Sequence, residues 1–173
     1  MLNDISKDFV WNPYDTKIGR RLAELDKTPD AIRFFAESQD GLSHYGYWFL
    51  LSTLWVSHTE GADLEKWRQL FSSDRAKRQT SIMKPSELAK FKQLPHFITV
   101  YRAHHPGETD WISFTLDKEI ALRFARERGK QTIGEYKIKK RDVLALFLRR
   151  GEQEILMLDK SKAQFVRIHG EGL

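Results

Sequence analysis

Three stretches of this chain put polar chemistry at the end or inside of runs that otherwise belong in a core. They are Val100-Tyr101-Arg102-Ala103, Trp111-Ile112-Ser113-Phe114-Thr115 and Arg149-Arg150-Gly151-Glu152-Gln153-Glu154-Ile155-Leu156. An arginine closing an apolar strand can fork two hydrogen bonds onto a phosphate or a carboxylate. Ala103 beside it is small enough to let a ligand approach the backbone; a strand-end arginine reaching solvent is the plain alternative. Ser113 stands just ahead of a helix that Thr115 is expected to cap through its hydroxyl. No glycine flanks Ser113 as a nucleophile elbow requires, so a hydrogen-bonding role is expected of it. Glu152 and Glu154 enter an apolar strand from a glycine turn. Side chains two apart on a strand share a face, so both carboxylates can point into one cleft. Such a pair suits stabilising an oxocarbenium ion and deprotonating an incoming group. A Glu-x-Glu at a solvated strand edge is the alternative here.

The remaining polar candidates carry less. His104 and His105 point oppositely on extended chain and do not easily ligate one metal, while His44, His58, His96 and His169 are scattered, so no metal site is expected. Arg75, Lys77 and Arg78, like Lys137, Lys139, Lys140 and Arg141, cluster without interleaved aromatics and read as solvated faces rather than nucleic-acid contacts. The chain has no cysteine, which excludes a disulfide framework, a thiolate metal site and a cysteine nucleophile.

The elements that must position these residues follow from periodicity. The length of 173 residues, 40% hydrophobic, is ample for one domain with a core, and 29 basic against 24 acidic residues is a modest excess. From Thr16 to about Leu94 the apolar residues recur at helical spacing, with proline in first turns at Thr28-Pro29 and Lys84-Pro85. Tyr45 to Val56 is apolar enough for a buried core helix and too short and interrupted to cross a bilayer. After Pro95 the pattern changes. Strands are predicted over 97–101, 111–114, 132–138, 143–148, 154–158 and 165–169, with one helix carrying Ile120, Ala121 and Phe124 on one face. A helical lobe over 1–94 and a β-rich core over 95–173 are therefore expected, integrated in one α+β domain. The polar N-terminus lacks the apolar run of a secretory signal, so a cytoplasmic location is expected.

Taken together and in order, Tyr101-Arg102, Ser113-Phe114-Thr115 and Glu152-Gln153-Glu154 resemble the Arg-Ser-Glu class of the ADP-ribosyltransferase superfamily. The similarity covers about residues 85 to 170, with Phe114 and Ala103 departing from residues more frequent at those places. The resemblance implies a split β-sandwich of two small packed sheets around an NAD cleft, and NAD as the substrate. It implies that Arg102 contacts phosphate, that Ala103 offers its backbone to the nicotinamide carboxamide, and that Ser113, Phe114 and Thr115 border the nicotinamide and its ribose. Ser113 would orient Glu154, and Glu154 would stabilise the oxocarbenium ion as nicotinamide leaves. Glu152 would position and deprotonate an acceptor, as in arginine-modifying members. Trp111 or Phe114 would stack on nicotinamide. The implied activity is mono-ADP-ribosylation of a protein, of the bacterial toxin or phage effector type, with an inhibitor or antitoxin protein among its partners. An NAD glycohydrolase and a non-catalytic binding module are the rivals.

Overall fold

The computed structural model describes residues 4–58 and 63–170. The chain falls into two compact units, Met1–Leu88 and Ala89–Leu173.

The first unit is helical. α1 (Pro13–Glu24) begins earlier than the apolar period alone indicates, because Asn12 accepts from the Tyr14 and Asp15 amides and Pro13 follows it. α2 (Pro29–Ser38) starts at the anticipated Thr28-Pro29. α3 (His44–Ser57) is the buried apolar helix, with Tyr47, Trp48 and Leu51 fully enclosed. Its entry is tight: Asp15 accepts from the Ser43 amide and hydroxyl, and a Cβ on Gly46 would lie 2.3 Å from the Asp15 carboxylate, so only glycine fits. α4 (Leu64–Phe71) and α5 (Arg78–Ile82) follow, and α6 (Pro85–Gln93) carries the division between the units.

The second unit is an antiparallel sheet with one helix, so the chain is α+β. Its strands are β1 (Phe97–Arg102), β2 (Ser113–Thr115), β3 (Thr132–Lys139), β4 (Ala145–Phe147), β5 (Glu154–Leu156) and β6 (Gln164–Gly170), in the order β4-β5-β2-β1-β3-β6. Where two packed sheets are expected, hydrogen bonding joins all the strands, although β1 and β2 meet through the single pair Tyr101 and Thr115. Register aligns Phe147, Glu154, Thr115, Tyr101, Glu135 and Arg167 in one row across the sheet, all on one face. α7 (Lys118–Glu127) packs Ala121 and Ala125 on Ala103 and Ile133, with Tyr101, Leu122 and Phe124 around them. Asp117, not Thr115, caps this helix, accepting from the Glu119 and Ile120 amides.

The basic excess is not spread along the chain. Residues 1–88 hold 12 Lys and Arg against 13 Asp and Glu, whereas residues 89–173 hold 17 against 11.

Candidate functional site

β2 lies between β1 and β5, and this order brings the three sequence stretches to adjacent strands. Ser113 and Thr115 face the same side of β2, and Thr115 pairs in register with Glu154. Across that diagonal the Ser113 hydroxyl donates to Glu154 Oε1 at 2.6 Å. Residues separated by 41 positions thus share a short hydrogen bond to a carboxylate, which fixes the direction of the acid.

Glu152 reaches this region differently from the expected pleated pair. Gly151 and Gln153 both have left-handed backbone, with φ of 70° and 47°, so the chain turns through Glu152 and β5 begins only at Glu154. Strand alternation therefore does not set the direction of the Glu152 side chain. Its carboxylate lies 3.6 Å from the Arg150 guanidinium and is about a quarter exposed. Its carbonyl accepts from the Thr115 hydroxyl at 2.7 Å, and the same hydroxyl accepts from the Asp117 amide. Thr115 thus ties the Glu152 turn to the start of α7 in place of capping the helix. Gln153 is drawn away toward Asp117, 3.4 Å from its carboxylate.

Arg102 lies on the opposite face of the sheet, in register with Gly134 and on the side of Val100 and Tyr136. Its guanidinium donates to the Ser113 carbonyl at 2.8 Å, so Arg102 and the Ser113–Glu154 pair flank the same residue from two sides. The rest of the guanidinium is engaged by Glu108, with Nε and a terminal nitrogen on the two carboxylate oxygens at 3.1 and 2.5 Å. Glu108 also meets His104 Nδ1 at 2.9 Å, while His104 Nε2 lies 2.7 Å from the Tyr136 hydroxyl. An ionised carboxylate can only accept, so Nδ1 carries a proton, and in the neutral ring Nε2 accepts from Tyr136. Burial by itself would raise the Glu108 carboxyl, but hydrogen bonds from His104 and Arg102, together with their charge, hold it down at about 2. Burial raises the Tyr136 phenol, against the lowering effect of Arg102.

Trp111 closes this side. His104 packs on its ring at 4.4 Å, and two cations flank it, Arg102 at 5.8 Å and Lys160 at 4.5 Å from the ring centroid. Phe114 is buried and edge-on to Tyr136, which makes it core rather than a stacking platform. Ala103 is buried under α7, and its carbonyl accepts from Arg128 at 2.6 Å. Glu108, His104 and Tyr136 are the residues that periodicity missed, since two of them sit in an irregular loop and the third reads as an ordinary strand aromatic. On the other face, Glu135 accepts from His169 and pairs with Arg167 at 3.4 Å.

Among the described residues no group of three or more His, Asp or Glu side chains is arranged to hold a metal ion. No described helix is long and apolar enough to cross a membrane. No family model, no curated protein and no solved structure matches the chain.

Proposed function

We propose that the chain is an ADP-ribosyltransferase-like enzyme that moves ADP-ribose from NAD to a protein side chain, with arginine as the expected acceptor and release of nicotinamide. The observation that carries this reading is the 2.6 Å hydrogen bond from Ser113 to Glu154 between β2 and β5, because it orients a carboxylate at a strand entrance. In this reading Glu154 accepts from the 2′-hydroxyl of the nicotinamide ribose and presents its charge to the positive centre that develops as the glycosidic bond lengthens. Ser113 holds that carboxylate so that no reorganisation is needed during the reaction. Glu152 receives the acceptor guanidinium and draws off its proton. Its present partner Arg150, at 3.6 Å, supports this role, since the carboxylate already meets a guanidinium. The same contact favours the second reading: with Arg150 retained on Glu152, water becomes the acceptor and the enzyme is an NAD glycohydrolase.

The residues suit the ribose end of the substrate as they stand. At the phosphate end Arg102 is already neutralised by Glu108, so contact with a phosphate requires that ion pair to open. Incubating the protein and its Glu154→Gln variant with NAD labelled on the adenosine, together with a cell lysate, tests the proposal. Label on protein with nicotinamide released is the expected result, and the variant is expected to lose about a hundredfold or more of both. Free ADP-ribose without protein label would favour the glycohydrolase. Intact NAD, or a fully active variant, would overturn the reading.

A further inference from the structure

The loop between β1 and β2 carries two carboxylates two residues apart, Glu108 and Asp110, and each rests on one of the two cations beside Trp111. Glu108 grips Arg102 in a two-pronged pair whose partners are mostly buried, at 16% and 12% side-chain exposure. Asp110 lies 3.7 Å from Lys160, a looser pair at the surface. Arg102 and Lys160 arrive from distant parts of the chain, one from the end of β1 and the other from the segment after β5. Each lies beside the Trp111 ring, Arg102 at 5.8 Å and Lys160 at 4.5 Å from its centroid. The indole N–H of Trp111 is buried and has no acceptor. A buried donor without a partner is costly.

From this arrangement we infer that Glu108 and Asp110 form an internal mimic of a diphosphate, which occupies Arg102 and Lys160 until a diphosphate-bearing ligand displaces it. The chemistry of the two cations fits that ligand. A guanidinium fork matches a phosphate as well as it matches a carboxylate, and an ammonium adds a point charge for a second phosphate. A single monoanion gains little by replacing one carboxylate with another. A diphosphate answers both cations at once and brings further oxygens, one of which can accept from the orphaned Trp111 N–H.

The loop is built so that another anion can take the place of its carboxylate. Its tip is the Pro106-Gly107 turn, with Gly107 at φ 72° and open space where a Cβ would stand. The Glu108 carboxylate is held by side chains, Arg102 and His104, while its amide closes the turn on the His105 carbonyl. When Glu108 leaves, His104 keeps Tyr136 and the Ser113 carbonyl keeps Arg102, so the receiving groups stay placed. The inference rests on the reading of Arg102 as a phosphate-holding residue and adds the residue that competes for it, Glu108, and a second phosphate contact, Lys160.

Titration calorimetry of the full chain with inorganic pyrophosphate tests it without any catalysis. Glu108→Gln keeps the shape of the side chain and removes its charge, and it is expected to bind pyrophosphate at least about tenfold more tightly than the parent. Asp110→Asn, at an exposed position and with an amide oxygen that can still accept from the Trp111 amide, is expected to gain about threefold by the same logic. Adding Arg102→Met to Glu108→Gln should abolish the gain, and orthophosphate should gain much less than pyrophosphate. Unchanged or weaker pyrophosphate binding in folded Glu108→Gln would overturn the inference, as would a gain that survives Arg102→Met. If Glu108→Gln does not fold, absence of any gain in Asp110→Asn overturns it instead. Equal gains for orthophosphate would overturn the diphosphate assignment. Tighter pyrophosphate binding with NAD left intact would keep the internal mimic and remove ADP-ribosyl transfer, whereas NAD cleavage without the gain would do the reverse.

Discussion

Two part-buried arginines, one in each unit, show how the halves of this chain use the same side chain. Arg75 in the helical unit donates to the carbonyls of Gln39 and Leu42 at 2.6 and 2.9 Å, and its guanidinium lies 4.4 Å from the centroid of the Tyr47 ring. Those partners are backbone and core, so they cannot leave without undoing α2, α3 and their connection. Arg102 in the β unit gives one nitrogen to a carbonyl and the rest to Glu108. A carboxylate on a loop can be replaced by another anion without displacing a main-chain carbonyl. The difference separates an arginine whose partners are main-chain carbonyls from one whose main partner is a loop carboxylate, although both are partly buried and both donate through more than one nitrogen.

The comparison is most directly broken by removing Arg75. Arg75→Ala should leave two carbonyls short of donors and uncover Tyr47, costing on the order of 3–5 kcal/mol in urea unfolding. A loss below about 1 kcal/mol would mean the guanidinium is as dispensable as a surface one.

Next in size is the acid response of Glu108. Its carboxyl sits at about 2 when folded, against the 4.5 usual for a free glutamate. The folded value is the lower one, so the stabilisation is fully present above 4.5 and drains away as pH falls from 4.5 toward 2. The advantage of the parent over Glu108→Gln should be on the order of 3 kcal/mol near neutrality and vanish near pH 2. Urea midpoints of both proteins across that range check it, and a difference that does not narrow would remove the Arg102–Glu108 pair as its source.

On the proposed function, the two glutamates separate by about the same amount. Glu152→Gln should still release nicotinamide into water, while labelling of arginine-containing acceptors falls about a hundredfold, the contribution of a general base. Equal loss of both activities would assign Glu152 to NAD cleavage, and undiminished labelling would mean that another residue handles the acceptor. The smallest effect is expected at Ser113. Ser113→Ala leaves Glu154 present but unaimed, and nicotinamide release should drop about tenfold with stability nearly unchanged. If the loss equals that of Glu154→Gln, Ser113 takes part in the reaction directly.

Much of the fold was legible locally. Thr28-Pro29 and Lys84-Pro85 mark helix starts, and the change to β-branched and aromatic residues after Pro95 marks where strands begin. Caps and periodicity act within a few residues, so a linear reading reaches them. Arg102, Ser113 and Glu154 were also visible as polar residues at the ends of apolar strands. What stayed hidden was every contact whose partner lies elsewhere in the chain or in an aperiodic loop. That Ser113 meets Glu154 depends on β2 lying between β1 and β5, a matter of which strands pair. That Glu152 leaves the strand depends on left-handed backbone at Gln153, a residue whose type does not announce it. Glu108 had no pattern at all around it, because a loop side chain takes its direction from what it binds. Residue types and their spacing determined which polar groups stand on which elements; strand order and loop closure decided which of those groups meet, because hydrogen bonding between strands and charge pairing act through space and leave no period along the chain.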